Sequence, residues 1–192
     1  MTSSTLQTPL ITRLVPLANP ALRVVVQIAL GVAFIAALAQ LRIPMVPVPI
    51  TGQTLGVLLV GSSFGLTLGG ATLLTYLAVG ALGLPLFAQG NAGLEYMLGG
   101  TGGYLLGFAL AALLVGYLAQ RGWDKSFAST ALAMLLGNIV LYIPGLLWLN
   151  RFMPDWATTL QNGLTPFIVG DIIKLLIASA ALPLAWKALG KR

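Results

Sequence analysis

Five apolar runs divide the chain, at roughly residues 24 to 41, 54 to 83, 100 to 119, 127 to 149 and 165 to 186. Each comes close to or exceeds the length that crosses a lipid bilayer, whose hydrocarbon core is about 30 Å thick and takes about 20 apolar residues as a helix. The rest of the chain cannot cover such runs. Only 7% of the residues are charged and 58% are hydrophobic, whereas soluble domains carry about 25% Asp, Glu, Lys and Arg. Lipid is therefore the main solvent. A membrane barrel would alternate apolar and polar residues in segments of about ten, and LLGFALAALLVGYLA at 105 to 119 does not alternate. The expected fold is an all-α integral membrane bundle, one domain over residues 1 to 192. Its 23 glycines and 11 prolines suit this fold, because small residues let membrane helices approach closely.

There are more expected spans than runs. As one helix, residues 54 to 83 would be about 45 Å long, so the run is predicted to break at Gly61-Ser62-Ser63-Phe64-Gly65. The predicted helices are then about 24–41, 53–61, 65–83, 100–119, 127–149 and 165–186. Residues 1–22 lack the features of a cleaved signal peptide and read as a cytoplasmic tail. Six spans with both termini in the cytoplasm place Arg13, Arg23, Arg121, Lys125, Lys187, Lys191 and Arg192 inside and Arg42 and Arg151 outside. That agrees with the enrichment of Lys and Arg in short cytoplasmic loops, and five spans divide the same charges less well. The outer loops are then the long ones, at 42–53, 84–99 and 150–164. Loops on a rigid scaffold commonly carry binding. Tyr96, Trp148 and Trp156, in or beside these loops, fit that role and equally fit the aromatic belt at a membrane interface.

Much chemistry is excluded outright. The chain has no cysteine and no histidine, so thiolate nucleophiles, Cys-ligated metals and the commonest metal ligand and general base are missing. Its carboxylates are Glu95, Asp124, Asp155 and Asp171, and only the last is expected in a helix, which makes paired-carboxylate catalysis in the membrane a poor reading. The net charge of +6 comes from bases that flank apolar runs. They are not gathered with aromatics as in a nucleic-acid site. GGTGGY at 99 to 104 opens an apolar helix and no GxxxxGK[ST] occurs, so the chain is not an ATPase. No cofactor, metal or nucleic acid is expected.

The pair Asp171 and Lys174, in TPFIVGDIIKLLIASAALPLAW, places two ionisable groups inside the last run. A spacing of three puts them on one helix face, where an acid and a base can pair. Asp171 sits about 9 Å inward of a helix start at Thr165. Each charge costs about 2.5 to 3.5 kcal/mol at the centre of a membrane helix, so something must offset it. Either the pair is a structural one facing the bundle interior, or it anchors a ligand. Such a ligand would offer N–H groups to the carboxylate and a carbonyl or carboxylate to the ammonium. Thr51, Gln53, Asn91 and Tyr96 are the neighbouring polar candidates, each also readable as a cap or a solvated loop residue. Glycines at 61, 65 and 69 and at 99, 103 and 107, and alanines at 29, 33 and 37, form small-residue stripes suited to close helix packing.

With VPVPITGQTLGVLLVG at 46 to 61, GLPLFAQGN at 83 to 91, GGTGGYLLGF at 99 to 108 and PFIVGDIIK at 166 to 174, nearly the whole chain resembles the BioY family, the biotin-capturing S components of energy-coupling factor transporters. It departs from that pattern at Gly100 and Val169, where proline is expected. The resemblance implies a non-catalytic six-helix S component whose vitamin site faces outward, closed by the first and third outer loops. It also implies partners: a transmembrane coupling subunit bound to two ABC-type ATPases, docked through an alanine-rich face of helix one that Ala29 and Ala33 match. The biotin ureido ring and valerate carboxylate suit Asp171 and Lys174 as anchors, with Asn91 adding a hydrogen bond and Gln53, Tyr96 and Thr51 as further candidates. An S component for another small vitamin, an intramembrane enzyme and a helper subunit that binds no small molecule are the competing readings.

Overall fold

The computed structural model describes residues 7–189; Lys191 and Arg192, counted above as inside charges, and residues 1–6 of the expected tail lie outside the described residues. The chain is helical, with α1 Leu10–Leu14, α2 Pro20–Gln40, α3 Gln53–Ala81, α4 Gly93–Leu98, α5 Gly102–Gln120, α6 Phe127–Leu149, α7 Trp156–Gly163 and α8 Ile168–Leu189. Among the described residues, five helices are long and apolar enough to cross a membrane, the last joining α7 to α8. This is a multi-pass membrane protein. Among the described residues there is one small exception to all-α architecture: Arg42–Ile43 and Ile50–Thr51 form an antiparallel pair, Arg42 opposite Thr51, which closes the proline-rich loop between α2 and α3.

Helix ends follow local chemistry. Asn19 accepts the Leu22 N–H ahead of Pro20 at the first position of α2, and Ser126 accepts the Ser129 N–H at the start of α6, each meeting one of the unpaired donors of a first turn. Asp155 caps α7 by accepting from Thr158, and that hydrogen bond holds its carboxyl below its ordinary value. Glu95, expected in a loop, lies instead in α4. Six residues suffice there because the helix only spans part of the connection between α3 and α5.

α3 breaks at Gly65, whose φ of 76° and ψ of −179° no helix contains. This is backbone that glycine almost alone adopts. The chain doubles back at this point. A Cβ added to Gly69 would lie 3.2 Å from the Gly61 Cα, yet eight residues of straight helix would separate those glycines by about 12 Å. The halves of α3 therefore pack on each other through their glycines. Against the turn lies the end of α5, where a Cβ on Gly116 would meet the Gly65 backbone and the Gln120 Oε1 accepts the freed Leu66 N–H at 3.4 Å.

Other small residues serve the same purpose. Gly103 and Gly107 of α5 press on the backbone of α6 at Pro144 and Leu141. In α2 the inward stripe is Gln27, Gly31, Ile35 and Ala39, whereas Ala29, Ala33 and Ala37 are exposed on the opposite side.

Part of the segment read as a tail is folded. α1 buries Leu10 and Ile11, its Ile11 carbonyl accepts from Gln27 Nε2 at 3.4 Å, and the Gln7 N–H donates to the Gln120 carbonyl at 2.9 Å. Arg13 and Lys125 stand over the Trp186 ring of α8 at 5.2 and 5.0 Å, and the Trp186 indole N–H donates to Asp124. Burial pushes the Asp124 carboxyl above its ordinary value. Five residues are too short for a lipid span and too weak a period to stand out from sequence, so only the contacts reveal α1.

Gly65→Ala is expected to cost about 1–3 kcal/mol, the usual range for an L-residue forced into such backbone, with the clash on Gln120 and Pro9 added. A lowered unfolding midpoint of the purified chain in detergent micelles checks this, and an unchanged midpoint would mean that the turn does not need glycine.

Candidate functional site

The end of the bundle where α2 finishes and α3, α5 and α8 begin holds a small cavity of about 40 Å³. Its apolar walls come from Val48 and Pro49 of the proline-rich loop, Tyr104, Leu105 and Phe108 of α5, Leu141 and Tyr142 of α6, and Phe167. Its polar groups come from Thr51, Gln53, Thr54, Tyr96, Thr101 and Lys174. Room exists for a few waters, each needing about 10–15 Å³.

Lys174 and Asp171 pair at 3.0 Å with side chains only 14% and 8% exposed. Helix α8 brings them together by its own pitch, and α3 and α6 complete the set. Thr54 accepts from the Lys174 ammonium at 2.8 Å and donates to Asp171 Oδ1 at 3.3 Å, while the Tyr142 hydroxyl donates to Asp171 Oδ2. The carboxylate thus has protein donors on both oxygens, which is what a buried charge requires. The ammonium has three hydrogens and gives two of them to Thr54 and Asp171. The third remains for the cavity that Lys174 lines.

The other sequence candidates divide. Gln53 and Thr51 line the cavity, but their polar atoms are engaged within the protein. Thr51 donates to Gln53 Oε1 at 3.2 Å, Gln53 Nε2 donates to Tyr76 at 2.7 Å, and Tyr76 donates to the Leu86 carbonyl at 3.0 Å. Tyr96 lines the cavity with its ring stacked on Phe87 at 5.4 Å, and burial pushes its phenol above the ordinary value. Asn91 is not in the cavity wall; its amide donates to the Ala88 carbonyl at 2.8 Å and so shapes the turn beside it. Trp148 bridges to the Gly99 carbonyl at 2.9 Å, and Trp156 is 49% exposed.

Sequence reading missed Thr54 and Tyr142, which complete the polar cluster around the ion pair. Thr54 adjoins the flagged Gln53. Tyr142 is a phenol in the middle of an apolar helix, where a buried hydroxyl ordinarily seeks a partner, and that signal pointed to some acceptor without naming Asp171.

Comparison with known proteins finds relatives over most of the chain. The BioY family model matches residues 7–191. The biotin transporter BioY of Thermotoga maritima is 35% identical over 158 residues, 82% of this chain and 92% of that one. The biotin transporter BioY2 of Lactococcus lactis is 37% identical over 156 residues, 79% and 84% of the two chains. Among solved structures, the crystal structure of the S-component for biotin from an ECF-type ABC transporter superimposes with a TM-score of 0.77 at 29% identity, covering 89% of this chain and 94% of that one.

If the charges are paired chiefly with each other, Lys174→Met alone should be worse than Asp171→Asn with Lys174→Met together. Breaking one side of a buried pair typically costs about 3–5 kcal/mol, while removing both is far milder. Unfolding midpoints of the three variants in detergent check this, and a double variant as unstable as the single one would refute the coupling.

Proposed function

Since the chain belongs to the BioY family, we propose that it is the biotin-capturing S component of an energy-coupling factor transporter, a binding protein and not an enzyme. The observation that carries this reading is the Lys174 ammonium, held by Asp171 and Thr54, with a hydrogen to spare at the wall of a cavity lined by aromatic rings. Biotin combines a ureido ring with an apolar arm ending in a carboxylate. A site with fixed polar groups on one wall and Tyr104, Phe108 and Phe167 on the others suits both halves. Asp171 and Lys174 are the principal anchors in this reading, Thr51, Gln53 and Tyr96 shape the wall, and Asn91 acts through its turn. Entry of so large a ligand into about 40 Å³ requires the loop carrying Val48 and Pro49 to move outward.

The membrane in question is the cell membrane, crossed six times. The reversal at Gly65 supports six crossings, because it converts one overlong helix into an antiparallel pair. Both termini then fall in the cytoplasm and the cavity faces outward. A transmembrane coupling subunit and two ABC-type ATPases complete the transporter. The face of α2 opposite its buried stripe, with Ala29 and Ala33 exposed, supports docking to the coupling subunit, since small residues permit close helix approach.

Binding of radiolabelled biotin to the detergent-purified chain tests the proposal. Wild type should bind, and Lys174→Met should weaken binding by about tenfold or more, the loss of a charge-assisted hydrogen bond being worth about 1.5–3 kcal/mol. Absence of biotin binding by wild type, or of biotin among molecules identified by mass spectrometry after purification from biotin-fed cells, would count against it.

A further inference from the structure

A second concavity lies at the same end of the bundle, and α4 borders both. Tyr96 of this helix lines the cavity, while Leu94, Met97 and Leu98 line a groove of about 390 Å³ that α4 forms with α5 and α6. Leu106 and Leu147 continue its wall, and these two, with Leu94 and Leu98, are each more than half exposed. In a membrane-spanning chain such leucines meet acyl chains, and a furrow offers a chain contact on several sides at once. Its polar end is Arg151, in the turn directly after α6. The guanidinium stands over the Trp148 ring at 4.8 Å, which covers one face of the planar group and leaves its N–H edge open. Among the described residues the one ion pair is Lys174 with Asp171, so Arg151 has no carboxylate partner. A permanent cation thus stands beside an apolar furrow where α6 leaves the hydrocarbon.

We propose that the groove binds one phospholipid, its acyl chain along the leucines and its phosphodiester on Arg151, with an anionic headgroup preferred, and that this lipid braces α4 against the ligand cavity. A guanidinium meets a phosphate through two parallel N–H donors. A zwitterionic lipid carries its own cation beside the phosphate, which competes with Arg151; an anionic lipid does not. Trp148 links the lipid to α4. It carries the Arg151 guanidinium on its ring face and donates its indole N–H to the Gly99 carbonyl at 2.9 Å, and Gly99 is the residue that ends α4. From the same short helix Tyr96 enters the cavity wall, its ring stacked on Phe87 at 5.4 Å. Holding α4 therefore holds Tyr96. The bracing rests on the biotin reading above; the lipid site stands apart from it.

Native mass spectrometry of the full chain in detergent, titrated with phosphatidylglycerol or phosphatidylcholine of the same acyl chains, tests the site. Wild type should hold one phosphatidylglycerol more tightly than phosphatidylcholine. Arg151→Gln should lower the phosphatidylglycerol affinity by about tenfold, the worth of a charge-assisted hydrogen bond, and erase the preference. Arg151→Lys should keep part of it, as a point charge without the fork. Leu106→Trp fills the furrow from its lipid-facing side and should weaken both lipids alike, with the unfolding midpoint in lipid-free detergent unchanged. Equal retention by wild type, Arg151→Gln and Leu106→Trp would mean an adventitious lipid only and overturn the site. A two-chain mass that Leu106→Trp abolishes would make a second copy the occupant and overturn it equally. Biotin affinity should rise about fivefold with phosphatidylglycerol in wild type and not in Arg151→Gln; no rise in wild type would overturn the brace. If wild type binds no biotin in either lipid, the biotin reading itself fails, and the lipid masses still decide the site.

Discussion

An ammonium and a carboxylate in hydrocarbon must be satisfied from within, and the organisation of this bundle follows from that demand. Lys174 and Asp171 neutralise each other across one helical step, but an ion pair alone leaves lone pairs and hydrogens unmet in a medium without water. Thr54 and Tyr142 supply the missing partners from two other helices. α3, α6 and α8 are thereby bound at one depth and one register. Sliding any of them by a turn would strand a charge, so the polar cluster specifies the packing as well as the chemistry.

The reversal at Gly65 serves the same cluster from the far end. Thr54 can meet α8 only if the first half of α3 is short and stands beside α5 and α6, which a single rod from Gln53 to Ala81 would not allow. Left-handed backbone at one residue, glycine faces on both halves and a Gln120 side chain to take up a freed N–H make the turn compact. Each of these devices costs little in lipid because each leaves the backbone paired.

Much of this was legible along the chain. The spacing of apolar runs announced the bundle, the excess length of the second run announced a break near Gly61 to Gly65, and the spacing of three between Asp171 and Lys174 announced their pairing. These are local or nearly local signals. The convergence of Thr54, Tyr142 and Asp171 is not, since it joins residues separated by up to 117 positions and depends on how three helices are arranged in space. Hydroxyls carry no charge that would betray them in an apolar run. α1 escaped notice for another reason: Leu10 and Ile11 are buried by the company they keep, not by a pattern of their own. Asn91 and Gln53 show the converse limit, where polar residues near a site prove to be engaged in holding loops and cavity walls.

The hydrogen-bonded sequence from Thr51 through Gln53 and Tyr76 to the Leu86 carbonyl joins the loop after α2 to the loop after α3. It works as a tether between two covers that are distant in sequence. Pulling the base of one away would strip an amide and a phenol of their partners inside an apolar wall. The loop after α2 is therefore anchored at its base by Thr51 and Gln53, while its tip at Val46 is 91% exposed.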